Sequence, residues 1–223
     1  MFESKYNKLL TIILIIAVIA IIALLVYLGI NYLSESSSTQ DAAAFVETYE
    51  DDAQPDSSDD AGENNTGDGS NPLDSADGGS GSGSGTLTSK KTYKGYTVNG
   101  TMKIPKINFS YPVLDKVTKS SIETSVAILY GAGLNQVGNT VIIGHNYRNG
   151  QFFSNNKKLS KGDKIYITDY EGKQKTYEIY NKFETTPEDT SFYQRDTNGK
   201  AEITLSTCTD DSSARLIIFA REE

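Results

Sequence analysis

The chain predicts a mainly β protein: a closed β-barrel of seven to eight short strands with one or two short helices, preceded by one transmembrane helix and a disordered tether. Three observations predict this. A single uninterrupted apolar run lies near the N-terminus, and an acidic tract rich in Ser and Gly follows it. The remaining residues, 90–223, break into short apolar runs without the regular strand–helix alternation of a parallel sheet.

The apolar run, Leu9 to Ile30, carries no charged residue over 22 positions. At a helical rise of about 1.5 Å per residue it spans roughly 33 Å, the thickness of a bilayer core. Backbone polar groups in lipid must be bonded within the segment, so a helix is expected. Lys5 and Lys8 precede it, and no Lys or Arg follows until Lys90. The positive-inside bias therefore leaves residues 1–8 in the cytoplasm and everything after Ile30 outside, as a single-pass membrane protein. A cleaved signal peptide would have a shorter apolar core with a small-residue site close behind it. Here Ala42-Ala43-Ala44 stands well beyond the end of the run.

Residues 31–89 read as the tether. From Ser34 to Ser89 there are 13 acidic residues and no basic one, and the tract closes on GGSGSGSGT. Such a composition offers too little apolar surface to offset the entropy of ordering. A modest helix around Asp41–Glu50 is the one local exception the pattern permits. The whole-chain charge of −8 divides into +1 for the N-terminal segment, −13 for the tether and +4 for residues 90–223. The low isoelectric point thus belongs to the tether. No basic stripe with interleaved aromatics is present, so nucleic acid is not an expected partner.

Within residues 90–223, Val98–Ile104 and Tyr111–Leu114 read as strands separated by Pro105. Val117–Leu129 has helical spacing, with Thr118 or Ser120 as its cap. Asn139–His145 is a β-branched run suited to a central strand, and Gln151–Leu159 allows one or two helical turns. Lys164–Asp169 and Lys175–Phe183 form a predicted hairpin about Glu171-Gly172. Ala201–Thr207 and Arg215–Arg221 are two further strands. Glycine-rich phosphate-binding loops are absent, so no nucleotide cofactor is supported.

The chain has one Cys and one His, and each closes a predicted strand: Cys208 ends ITLSTC and His145 ends VIIGH. A lone Cys cannot form an intramolecular disulfide or a structural zinc site. A thiol becomes a good nucleophile when an imidazole or guanidinium favours its thiolate. Arg215 opens the strand after Cys208, where a hairpin can aim its guanidinium at the developing oxyanion. Taken singly, each residue has a plainer reading: a hydrogen-bonded His, a small buried Cys, a solvated edge Arg.

Together they resemble a known family. Thr204-Leu205-Ser206-Thr207-Cys208 followed by Arg215 is similar to the TLxTC…R signature of the sortases, and Gly144-His145-Asn146 resembles the segment carrying their catalytic His. The resemblance runs from about Thr97 to Arg221, and an N-terminal anchor before a tether is the family's usual layout. TLSTC and GHNYRNGQFF lean toward class B, although the domain is shorter and the Glu184–Lys200 connection more compact than that class implies. No Asp-Pro lid motif of the pilin-polymerising class stands in the tether.

The resemblance implies a cysteine transpeptidase of the Gram-positive envelope, with residues 90–223 as its catalytic barrel. Cys208 would cleave a C-terminal sorting signal after Thr through a thioester. His145 would act as general acid and base, Arg215 would hold the oxyanion, and Thr207 and Ser206 would contact substrate. The expected partners are surface proteins bearing the signal and an amine acceptor such as a peptidoglycan precursor. No cofactor or metal is implied, calcium being required only in some members. An L,D-transpeptidase-like wall cross-linker would place Arg two residues after the Cys, where this chain has Asp210. A non-catalytic adhesion or scaffold domain is compatible with the composition but gives no physical need for all three polar residues.

Overall fold

The computed structural model describes residues 2–52 and 90–223. The expected tether over residues 53–89 lies outside them. A single helix, α1 (Phe2–Asp51), comes first. Its stretch Leu10–Ile30 is long and apolar enough to cross a membrane, and every side chain along it is exposed, as a lipid-facing helix requires.

The helix does not stop at the end of the apolar run. Residues 31–51 are helical, which corrects the expectation of a disordered tether beginning at residue 31; the helix allowed around Asp41–Glu50 is present and forms part of this longer one. Averaged composition concealed the cause. Ala42, Phe45, Val46 and Tyr49 recur at i, i+3, i+4 and i+7, an apolar stripe on one helical face. Ala42, Val46 and Tyr49 are buried against the barrel, and Phe45 packs on Tyr93 with ring centroids 5.0 Å apart. Acidic residues on the same segment meet the basic barrel: Glu50 pairs with Lys103 at 2.5 Å, Asp52 with Lys91 at 2.6 Å and Asp41 with Lys94 at 3.5 Å. Burial holds the Tyr49 hydroxyl up at about 12, with Asp169 adding to the effect.

Nine strands follow: β1 (Thr92–Tyr93), β2 (Tyr96–Ile104), β3 (Phe109–Leu114), β4 (Val126–Tyr130), β5 (Gly138–Ile143), β6 (Lys164–Asp169), β7 (Gln174–Thr185), β8 (Ala201–Cys208) and β9 (Arg215–Glu222). Their order is β1-β2-β3-β4-β5-β8-β9-β7-β6, and β6 pairs back onto β2. Eight strands therefore close a barrel, with β1 as a short hairpin arm, in keeping with the predicted fold class. Inward residues such as Met102, Ile142, Ile167, Leu205 and Ile218 fill the interior.

The predicted helix Val117–Leu129 is cut short. Helix α2 spans Lys119–Thr124, opened by a capping box in which Thr118 and Ser121 exchange side-chain and backbone bonds. Ser125 then leaves the helix in an extended conformation and donates its hydroxyl to Pro112 O at 2.6 Å. This starts β4 alongside β3 in a parallel pair, with Val126 and Ala127 fully buried. Tertiary pairing overrides helical spacing here.

Candidate active site

Strand alternation decides which side chains meet. On β8, Ala201, Ile203 and Leu205 join the barrel interior, so Thr204, Ser206 and Cys208 face outward. On β9, Ile218 and Ala220 point in while Ile217 and Phe219 belong to a separate outer cluster. Arg215 shares that outer face. In the antiparallel β8–β9 pair, Cys208 stands directly opposite Arg215, the closest relation two strand residues can have.

Strand β5 runs parallel to β8 with Ile143 level with Ser206. One more ladder bond, Gly144 N to Ser206 O at 3.4 Å, carries the pairing beyond the strand end. His145 follows, level with Cys208. Gly144 is required by space: a Cβ there would lie 2.7 Å from Val126 and 3.0 Å from the Phe153 ring. The His145 ring stacks on Tyr147 at 4.9 Å. His145, Cys208 and Arg215 line one groove of about 250 Å³, whose other wall includes Ile143, Pro187, Phe192 and Tyr193. A second cavity of about 250 Å³, at the barrel mouth, shares only Thr207 and Cys208 with it.

The two loops at this end are tied together. Asn146 Nδ2 donates to Cys208 O and to Asp210 Oδ1, both at 3.0 Å. Lys157 pairs with Asp210 at 2.6 Å, and the hydrogen bonds from Lys157 and Asn146 hold the Asp210 carboxyl below its usual range. Arg148 Nη2 reaches Ser212 Oγ at 3.1 Å. Phe152, which pairs with Asn146 in an isolated bridge, has φ of 47°, a conformation costing about 1–3 kcal/mol that its packing must offset. Sequence reasoning missed Asn146 as a link, although it stands next to His145 in GHN.

The expected substrate contacts divide. Ser206 faces the groove. The Thr207 hydroxyl points the other way, donating to Gly144 O at 2.7 Å, and is buried. It joins the His-bearing and Cys-bearing strands, while the residue still borders the groove. Arg215 donates Nη1 to Ala214 O at 3.3 Å and forms no ion pair among the described residues, so most of its donors remain available.

Arg195 is differently committed. It pairs with Glu202 at 2.6 Å, donates to Asn139 Oδ1 and Thr204 Oγ1, and stacks on Phe219 at 3.7 Å. Arg221 bonds the other Glu202 oxygen at 2.6 Å. Asn139 Nδ2 in turn holds the Phe192 and Tyr193 carbonyls at 3.1 and 2.9 Å. This network fastens residues 186–200, which carry one wall of the groove. Sequence alone gave no sign of it, because polar residues on an outward strand face read as solvent-facing. Burial alone would raise the Glu202 carboxyl, but bonds from Arg221, Tyr180 and Arg195 outweigh it and hold it below the usual carboxylate range.

Comparison with known proteins bears on all of this. A family model for the sortase domain matches residues 102–223, more than half of the chain. Sortase A of Bacillus anthracis is 33% identical over 124 residues, covering 54% of this chain and 58% of that protein. Sortase A of Streptococcus agalactiae serotype III is 30% identical over 139 residues, covering 56% and 53%. The chain thus spans little more than half the length of these relatives. Both carry the class A name, whereas the local motifs lean toward class B. A lid mutant of Sortase A from Corynebacterium diphtheriae superposes with a TM-score of 0.53 at 30% identity, over 57% of this chain and 71% of that one. The matched residues contain all of β3 to β9 and the row in which His145, Cys208 and Arg215 stand, and on that match the chain belongs to the sortase family.

Proposed function

We propose that this protein is a membrane-anchored cysteine transpeptidase acting on the outer face of a Gram-positive cell. The observation that carries the reading is the register of Cys208 opposite Arg215, with His145 bordering the same groove. The Cys208 sulfur attacks the carbonyl carbon of a Thr residue in a C-terminal sorting signal, and its proton passes to His145. Arg215 donates hydrogen bonds to the oxyanion of the tetrahedral intermediate. The C–N bond then breaks, the leaving amine takes a proton from His145, and a thioester joins substrate to Cys208. An acceptor amine of a cell-wall precursor attacks the thioester, gives up a proton to His145, and regenerates the thiol.

Thr207 acts as a positioning residue through Gly144, and Ser206 contacts the bound peptide. The apolar wall suits apolar residues ahead of the scissile bond. The apolar helix with Lys5 and Lys8 before it supports a single-pass anchor with a cytoplasmic N-terminus and an external barrel. The reading is tested by incubating the detergent-solubilised full chain with a library of sorting-signal peptides and weighing products and acyl-enzyme. A mass adduct on Cys208 that ends in Thr is expected, and Cys208→Ala must lose it together with all cleavage. Cleavage by Cys208→Ala at a rate close to wild type would overturn the assignment.

A further inference from the structure

We infer that α1 mounts the barrel with its catalytic end toward the bilayer, so that the reaction takes place close to the membrane surface on partners presented there. The inference rests on the anchor reading above and adds an orientation to it.

Helix α1 is continuous from the membrane-crossing stretch into the docked segment. Its position along the helix axis therefore measures height above the bilayer. Ser38 lies eight residues beyond Ile30, about 12 Å farther along the axis, and Tyr49 lies a further 16 Å or so. What each level touches decides the orientation.

At the lower level, Gln151 Nε2 donates to Ser38 Oγ, and the hydroxyls of Thr39 and Tyr111 are 3.0 Å apart. Gln151 belongs to the loop that carries His145: Asn146 bridges to Phe152, and Phe153 N donates to His145 O at 3.1 Å. Rings continue the contact inward. Tyr111 meets Phe152 at 5.3 Å, Phe152 meets Tyr147 at 5.7 Å, and Tyr147 stacks on His145.

At the upper level, Tyr49 OH donates to Asp169 O at 3.4 Å, and Glu50 bonds Thr101 and Lys103. Asp169 ends β6 at the turn into β7. The other end of β7 is Thr185, which pairs with Arg215, and Arg215 pairs with Cys208. Asp169 therefore marks the end of the barrel opposite the nucleophile. The lower turns of the helix touch the catalytic end, Tyr49 touches the far end, and the Glu50 bonds fall between, on β2 residues level with Tyr111.

The dock is held by buried apolar contacts and three ion pairs, so the orientation is a property of the folded chain rather than of a loose spacer. Scissile and accepting groups must then come within reach a few helical turns from the lipid. Partners held at the bilayer surface meet that condition, and those diffusing far above it do not.

The lone thiol makes this measurable without turnover. The full chain is reconstituted in phosphatidylglycerol–phosphatidylcholine vesicles and labelled at Cys208 with a small fluorophore. A second sample carries Cys208→Ala with Lys173→Cys, which moves the label to the exposed turn between β6 and β7. Energy transfer to a headgroup acceptor dye is compared between the two. Stronger transfer from Cys208 is expected, together with a fall in the difference when Val46→Arg disrupts the dock. Equal transfer, or stronger transfer from position 173, would overturn the orientation. A soluble sorting-signal peptide assayed on vesicles that carry the unlabelled, unsubstituted chain reports separately on the transpeptidase reading: its failure there with a clear height difference condemns the chemistry and leaves the orientation standing.

Discussion

Arg195 and Arg215 both serve the outer face of the sheet formed by β5, β8 and β9, yet their surroundings are opposite. Arg195 meets a fully buried carboxylate, a side-chain amide, a hydroxyl and an aromatic face. Arg215 meets one backbone carbonyl at 3.3 Å and otherwise faces a groove. The first arrangement commits both terminal nitrogens of a guanidinium, leaving its buried Nε unbonded, and fixes a loop. The second leaves donors uncommitted, as the proposed role of meeting a charge that exists only during a reaction requires. Residue type and strand face do not separate the two roles; the partners already in place do.

The sharpest way to break this contrast is to remove each arginine and ask which property falls. Arg195→Ala leaves Glu202 buried with fewer partners, and breaking a buried pair costs about 3–5 kcal/mol. Arg221 stays bonded to Glu202, so the loss of stability should lie toward the lower end of that range, read from denaturant midpoints. Peptide KM should rise as the Phe192–Tyr193 wall loosens. Arg215→Ala should leave the midpoint within about 0.5 kcal/mol and slow single-turnover acylation by roughly 10²–10³, about 2.7–4 kcal/mol in the barrier. Arg215→Lys should recover only part of that rate, since an ammonium lacks the planar fork of donors. A destabilised Arg215→Ala with normal acylation would reverse the two roles.

A second comparison concerns the glycine that lets the His strand reach the site. Gly144→Ala places a methyl 2.7 Å from Val126 Cγ1, and overpacking of this kind costs about 1–3 kcal/mol. Acylation should fall as His145 shifts, with reaction of Cys208 toward a small alkylating agent less affected. Unchanged acylation would show that the His145 position does not depend on Gly144.

Acid provides a milder probe of the buried Glu202 cluster. Glu202 is held below the usual carboxylate range, so the stability it contributes is complete above the unfolded value of about 4.3 and is lost as pH falls through the lower folded value. Denaturant midpoints should fall below about pH 4 in the wild type, and that part of the fall should be missing in Glu202→Gln. Identical profiles would remove Glu202 from the account. Smallest of all, Arg148→Ala should change stability by no more than about 0.5 kcal/mol, because its bond to Ser212 is exposed.

The barrel and the row of His145, Cys208 and Arg215 along one groove were legible in the sequence for a physical reason: period-two alternation fixes strand faces, and TLSTC and GHN place Cys208 and His145 at strand ends. What stayed hidden depended on partners distant in the chain. The helical stripe of Ala42, Phe45, Val46 and Tyr49 is short and lies among acidic residues, so its composition reads as solvated until the barrel surface is present. Val126–Tyr130 fits a helix or a strand, and only pairing with β3 and β5 decides it. Glu202 and Thr204 look solvent-facing until residues 186–200 cover them. Thr207 sits beside Cys208 in sequence, yet inward alternation gives its hydroxyl to Gly144 O.

The ion pair between Asp52 and Lys91 carries a lesson about permissible change. These two residues flank 38 positions of sequence, and their pairing holds the two ends of that stretch at nearly the same point. For a flexible loop closed at such a point, each doubling of length adds only about 0.6 kcal/mol of closure entropy. Insertions, deletions or a grafted module there should leave the height of the barrel untouched. Each residue added between Ile30 and Ser38 would instead raise the barrel by about 1.5 Å and rotate it by roughly 100° about the helix axis. Of these two pieces of one chain, the first is open to drift and engineering, and the second is a gauge with almost no tolerance.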